Sequence, residues 1–206
     1  MELKFLAFLL NEAIRRELCE RNVIALARVP KSPPKPKPEL LPGDMDRARV
    51  ALKNCGKWMR TVLEICAHLG CRFCEASIPM ERVDFSGMQI TIVDSKRKGT
   101  DPRKLYTVPM PQALADYLVQ LKGQERTCAP LTGEMNHRFN RMLKKAIGCT
   151  SYSLRVSFIT RCHRAGLTEA EAMPLVNHSS RAVHAIYMRL TLADSRKCAA
   201  RVPPPA

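Results

Sequence analysis

Between Val29 and Pro38 the chain reads Val-Pro-Lys-Ser-Pro-Pro-Lys-Pro-Lys-Pro, five prolines and three lysines in ten residues. Proline fixes φ and has no N–H to donate, so this stretch cannot pack as helix or sheet. It reads as an extended, semi-rigid basic linker. The chain must therefore fold in pieces: residues 1–28 ahead of the linker, the linker over 29–43, and a domain with a C-terminal tail over 44–206. Ahead of the linker, Leu3, Leu6, Leu10, Ile14 and Leu18 recur at helical spacing and predict one helix over 3–27. Asn11-Glu12 cut the opening apolar run short and no small-residue cleavage site follows, so this segment reads as an amphipathic helix and not as a signal peptide. No apolar run approaches the ~18–20 residues that span a bilayer, so no membrane partner is expected.

After the linker, Trp58, Val62, Ile65, Cys66 and Leu69 form a core-facing helical stripe, which Gly70 stops. A short helix is predicted over 72–78. Met88–Val93 and Leu105–Val108 alternate like strands. The loop between them, 94–103, is loaded with positive charge. Helices follow from Pro111 to Gly123, Glu134 to Ile147 and Ser153 to Ala165. Thr168-Glu169-Ala170-Glu171 is a capping box for the next helix. Ser180 can cap a last one that carries Ala182, Ile186 and Tyr187. The fold class is mainly α (α+β), a helical domain with one small antiparallel sheet.

The chain carries 34 Lys+Arg against 19 Asp+Glu, a formal net charge of +15. So large an excess favours a polyanionic partner, usually nucleic acid; the plain alternative is a basic protein without one. Nine cysteines, an odd count without a secretion signal, point to free thiols in a reducing compartment. Cys66, Cys71 and Cys74 cluster, and Cys162 adjoins His163. No second Cys-x-x-Cys follows at ligand spacing, so buried structural cysteines are the reading and no metal is expected.

Four local patterns carry possible chemistry. Arg72 follows the helix-ending Gly70, and Glu75, one turn on, can pair with it. The charged hairpin carries Lys96, Arg97 and Lys98. Tyr152-Ser153-Leu154-Arg155 is the third pattern, and Asn177-His178-Ser179-Ser180 followed by Tyr187 is the fourth.

Together these patterns resemble the tyrosine recombinases, the phage-integrase family. That family's signature is an Arg with an acid three residues later, a Lys on a β-hairpin, a His-x-x-Arg box, a His or Lys, and a Tyr nucleophile. Arg72 and Glu75 match the first box, and Arg155 matches the second Arg. Asn-His-Ser-Ser at 177–180 looks like the family's Gly-His-Ser-Ser, and Ala185-Ile186-Tyr187 matches the nucleophile segment. Ile78–Asp84 sits where the family has Leu-x-Trp-x-Asp-Ile, and Val108-Pro109-Met110 looks like its Val-Pro-Leu. The resemblance covers roughly residues 40–195. It departs at Tyr152, where the family has His, although Lys or Tyr stands there in some relatives. Residues 1–28 look like the last helix of an upstream core-binding domain.

The resemblance implies a helical integrase-type catalytic domain that breaks and rejoins DNA through a 3′-phosphotyrosyl intermediate on Tyr187. Arg72 and Arg155 would clamp the non-bridging phosphate oxygens, with His178 adding a donor. Lys96, preferred over Lys98, would protonate the leaving 5′-hydroxyl. His178 and Tyr152 are both candidates for the base that takes the phenol proton. No cofactor is implied. The partners implied are double-stranded DNA and further copies of the chain, as a tetramer on DNA, in a cytoplasmic, nucleoid-associated setting. Arg138, Arg141, Lys144 and Lys145 on one helix face, with Arg97 and linker residues Lys35 and Lys37, would bind backbone phosphates. Three other readings stand beside this one: a catalytically impaired DNA-binding accessory protein of the same fold, a type IB topoisomerase-like enzyme, and a simple helical DNA-binding regulator.

Overall fold

Helical periodicity ahead of the linker yields two helices where the sequence predicts one. The computed structural model describes residues 2–26, 38–97, 99–101, 104–185, 187 and 194. The chain divides into two compact units, Met1–Lys35 and Pro36–Ala206. The first holds α1 (Glu2–Arg15) and α2 (Val23–Leu26). The Leu18 N–H turns back to the Ala13 carbonyl at 2.9 Å, with Glu17 at φ 59°. The Asn22 amide then donates to the Ala7 carbonyl and to Asn11 Oδ1, both at 2.8 Å. These bonds fold the chain back along α1, whereas one continuous helix, rising about 1.5 Å per residue, would carry Asn22 far beyond both partners. The linker, including Lys35 and Lys37, lies outside the described residues except for its last positions, 38–43.

The second unit is mainly α with a small antiparallel sheet. Its elements are α3 (Asp44–Leu52), α4 (Lys57–Leu69), β1 (Val83–Asp84), β2 (Gln89–Val93), β3 (Leu105–Pro109), α5 (Gln112–Leu118), α6 (Gly133–Ile147), α7 (Ser151–Arg164), α8 (Glu169–Leu175) and α9 (Arg181–Ala185). The strands run β1-β2-β3, with Val83 opposite Ile90 and Ile90 opposite Val108. Ile90 and Ile92 face the core while their neighbours face out, as a period of two requires. β1 comes from the Ile78–Asp84 run, which the strand pattern alone did not mark. At two residues it is too short to show alternation.

α4 is the central helix: Met59, Val62, Leu63, Ile65, Cys66 and Leu69 are all buried. Trp58, Phe73 and Phe139 pack edge to face or tilted, with centroids 5.5–6.4 Å apart. The buried Glu64 carboxylate binds Arg49 of α3 at 3.0 Å and Arg60 at 2.6 Å. Burial pushes the Glu64 pKa up, but these two guanidiniums outweigh it and hold the group below its usual value. α4 stops where Gly70 takes φ 62°, and a Cβ there would lie 2.4 Å from the Phe158 ring. Only glycine meets both conditions.

The predicted helix over 72–78 is a single 3-10 turn, Phe73–Glu75. The Glu75 carboxylate caps it by accepting the Arg72 N–H at 2.8 Å. The Thr168–Glu171 capping box forms at the start of α8. Tyr187 lies in a turn just past α9 and not on the helix.

Candidate active site

The side chain of Arg72 leaves the end of α4 between two acids. Its Nη1 donates to Glu75 Oε1 at 2.6 Å and to Asp94 Oδ1 at 3.1 Å. Asp94, at the mouth of the β2–β3 hairpin, is buried, and it organises this corner. Oδ1 also accepts the Lys96 N–H at 2.9 Å, and Oδ2 accepts Asn177 Nδ2 at 2.8 Å. One carboxylate thus ties the first arginine, the hairpin lysine and the His178 loop together. Sequence reasoning passed over Asp94, whose one visible signal is its place two residues before Lys96.

Arg155 is 1 % exposed, on the inner face of α7. Nη1 donates to the Gly70 carbonyl and Nη2 to the Val176 carbonyl, both at 2.7 Å, while the buried Nε has no hydrogen-bond partner among the described residues. The guanidinium thereby fixes the residue two before Arg72 and the residue two before His178. Its carbon lies 5.8 Å from the centre of the Tyr187 ring, in cation–π reach. Tyr187 is 8 % exposed, and its hydroxyl meets the hydroxyl of Tyr152. Burial and the Tyr187 hydroxyl push the Tyr152 phenol well above its usual pKa, so Tyr152 keeps its proton and is a poor base.

His178 also packs on Tyr187, with ring centres 4.8 Å apart. It follows Asn177, whose φ of 50° is a left-handed conformation that asparagine tolerates better than most residues. His178 is held at a pKa of about 3 by burial, with Arg155, His184, Arg72 and Lys96 adding to the effect. It is a neutral imidazole at working pH. Behind it, His178 Nδ1 lies 2.9 Å from His184 Nδ1, and His184 Nε2 lies 2.9 Å from His163 Nε2. His163 Nδ1 in turn faces the Leu167 carbonyl at 3.0 Å. Neither His184 nor His163 was read from the sequence as a site residue. The signal for His163 was available: Arg155, Ile159 and His163 are spaced four apart and share one face of α7.

Arg72, Tyr152 and Arg155 line a cleft of about 280 Å³, and Lys96 stands at its edge. Arg72, Lys96 and His178 line a second opening of similar size. Arg72, Arg155, Lys96, Tyr152, His178 and Tyr187 therefore converge, although they are spread over more than a hundred residues of sequence. Lys98 lies outside the described residues. Arg97, expected on DNA phosphates, has a side chain only 15 % exposed, with Nη1 2.8 Å from Asp101 and Nε 3.5 Å from Asp94. The two acids draw it into the hairpin. Arg138, Arg141, Lys144 and Lys145 are exposed along α6.

Cys66 and Cys71 are buried with sulfurs 4.0 Å apart, and the neighbouring thiol together with burial pushes the Cys66 pKa well up. Cys74, expected among the buried cysteines, is exposed, with its sulfur 3.1 Å from Ser95 Oγ. Among the described residues no three His, Cys, Asp or Glu side chains converge as a metal site.

The fold is one that solved recombinase and integrase structures share. No protein-family model and no curated protein matches the sequence. Solved structures do match in fold. A XerA recombinase superposes with a TM-score of 0.63 at 19 % identity, covering 98 % of this chain and 82 % of that one. A lambda integrase tetramer bound to a Holliday junction gives 0.65 at 19 %, covering 91 % and 58 %. The Tn1549 transposon integrase in complex with a circular intermediate DNA gives 0.64 at 16 %, covering 97 % and 77 %. This chain thus spans little more than half of the lambda protein.

Proposed function

We propose that this chain is a site-specific DNA recombinase that breaks and rejoins strands through a 3′-phosphotyrosyl link to Tyr187. The observation that carries the reading is the packing of the Tyr187 ring, 5.8 Å from the Arg155 guanidinium carbon and 4.8 Å from the His178 ring centre, with its hydroxyl on Tyr152 of the cleft that Arg72 and Lys96 also line. A phosphodiester in that cleft would place its non-bridging oxygens against fixed positive charge. Preorganised charge of this kind is commonly the largest catalytic contribution. The Tyr187 Oη–P bond forms, the P–O5′ bond breaks, and Lys96 gives the leaving 5′-oxygen a proton. The bond to Tyr187 conserves the energy of the broken link, so the reaction as written requires no nucleotide cofactor.

The neutral state of His178 revises one role read from the sequence. With Nδ1 committed to His184, the resting ring offers its other nitrogen chiefly as an acceptor, so His178 suits the phenol proton better than it suits donation to phosphate.

Double-stranded DNA is the proposed partner, with α6 on its phosphates and a tetramer as the working assembly. A cytoplasmic, nucleoid-associated location belongs to the same reading. No described helix is long and apolar enough to cross a membrane. The test is a nicked suicide substrate carrying sites from beside the gene, run with the native chain and with Tyr187→Phe. A denaturation-resistant protein–DNA adduct that depends on Tyr187 supports the enzyme. DNA binding with no adduct supports the accessory-protein reading, and relaxation of any supercoiled plasmid supports the topoisomerase reading.

A further inference from the structure

His163, His184 and His178 form a continuous file from the body of α7 to the site. Each contact is between two ring nitrogens at 2.9 Å, so each needs one proton and one lone pair. The Leu167 carbonyl decides the order. It only accepts, so His163 Nδ1 carries a hydrogen and donates to it at 3.0 Å. In a neutral ring that leaves His163 Nε2 as a lone pair, which accepts from His184 Nε2–H. His184 Nδ1 is then bare and accepts from His178 Nδ1–H. The far end follows by elimination: His178 Nε2 has no hydrogen. The opposite order with three neutral rings would set a His163 lone pair against the carbonyl lone pairs.

We propose that His184 and His163 are positioning residues that present His178 Nε2 as the proton acceptor for Tyr187, and that one proton entering the file reverses it. The inference rests on the recombinase reading above. Tyr187 Oη loses its proton to His178 Nε2 as the Oη–P bond forms. His178 passes its Nδ1 hydrogen to His184 Nδ1, and His184 passes its Nε2 hydrogen to His163 Nε2. The positive charge ends on His163, whose Nδ1–H stays on the Leu167 carbonyl. His178 now carries a hydrogen on Nε2 and can donate to the phosphate oxygens. The acceptor of the resting enzyme becomes a donor as charge gathers on phosphorus, and rejoining runs the file backwards.

The surroundings suit this. Arg155, Arg72 and Lys96 face His178, while Glu169 and Arg155 act on His184. Burial first, and these cations after it, keep His178 unprotonated. A bound phosphodiester offsets their charge, which raises the basicity of His178 when it is needed.

Two measurements test the proposal. The rate of covalent adduct formation is followed against pH for the native chain, His184→Ala and His184→Gln. A general base contributes roughly 10²- to 10⁴-fold, so His184→Ala slows the step by that order near neutrality. Its rate then climbs with pH, as hydroxide takes over removal of the phenol proton, and approaches the native rate at high pH. His184→Gln retains an acceptor for the His178 hydrogen but cannot pass a proton on, and falls between the two. A loss in His184→Ala that is the same at every pH marks a merely structural histidine and overturns the proposal.

The second measurement needs no DNA. Nitrogen NMR of the imidazoles in the free protein is expected to show His178 protonated on Nδ1 and bare on Nε2, and a hydrogen on Nε2 overturns the file. If the native chain forms no adduct at all, the recombinase reading fails by itself, while the nitrogen spectra still decide the order of the file.

Discussion

Arg155 is expected to hold the site together mechanically as well as electrostatically, and substitution separates the two roles. Its two Nη groups donate to the Gly70 and Val176 carbonyls at 2.7 Å, and the side chain is 1 % exposed. A hydrogen bond from a charged donor contributes roughly 1.5–3 kcal/mol net, and a buried acceptor left without a partner costs a similar amount. Arg155→Lys keeps the charge but, with a single ammonium, reaches one carbonyl only, so the expected loss is about 1.5–3 kcal/mol. Arg155→Met keeps most of the volume and frees both carbonyls, for an expected loss of about 3–6 kcal/mol. Urea unfolding measures both: the midpoint falls in the order native, Lys, Met, with an unchanged m value if two-state behaviour holds. If both variants lie within about 1 kcal/mol of the native chain, the two carbonyls are satisfied some other way and the bracing argument is wrong.

Three further outcomes follow from the same geometry. His178 stays neutral when folded down to about pH 3, but in the unfolded chain it takes a proton near 6.5. The unfolded state therefore binds more protons between those values, and stability falls as pH drops from about 6.5. His178→Gln flattens that part of the stability–pH curve, and an unchanged slope contradicts the assignment. Lys96→Ala slows cleavage of ordinary DNA but is rescued by a substrate with sulfur in place of the bridging 5′-oxygen, because a thiolate leaves without a proton. If Lys98→Ala shows that rescue and Lys96→Ala does not, the acid is Lys98. Replacing Arg138, Arg141, Lys144 and Lys145 with Gln reduces the slope of log affinity against log salt by about 3 to 4, at ~0.9 per lost phosphate contact, and an unchanged slope removes α6 from the interface.

The sequence exposed what local spacing encodes. The α4 stripe ending at Gly70, the capping box before α8, the two longer strands and the basic face of α6 all rest on periodicity or on single-residue stereochemistry, and all are present. The ordered boxes around Arg72, Arg155, His178 and Tyr187 predicted a convergence that the fold provides. What escaped was set by long-range partners. Asp94 reads as an ordinary hairpin acid until Arg72 and Asn177, 22 residues before it and 83 after it, are folded onto it. The pairing of Arg97 escaped because sequence does not reveal that Asp94 and Asp101 close on it. His184 escaped because a hydrogen-bonded file has no sequence spacing of its own, while His163 was legible only by its place on the Arg155 face of α7. The helix over 3–27 failed because Asn22 bonds back to Ala7 and Asn11, a contact that hydrophobic periodicity does not carry.

The most direct test of the central claim is the identity of the residue that becomes linked to DNA. The native chain is incubated with a nicked suicide substrate, digested with protease, and the DNA-bearing peptide is sequenced by mass spectrometry. The account predicts a 3′-phosphate esterified to Tyr187 and no adduct from Tyr187→Phe. A link to Tyr152, or an adduct that survives Tyr187→Phe, contradicts it.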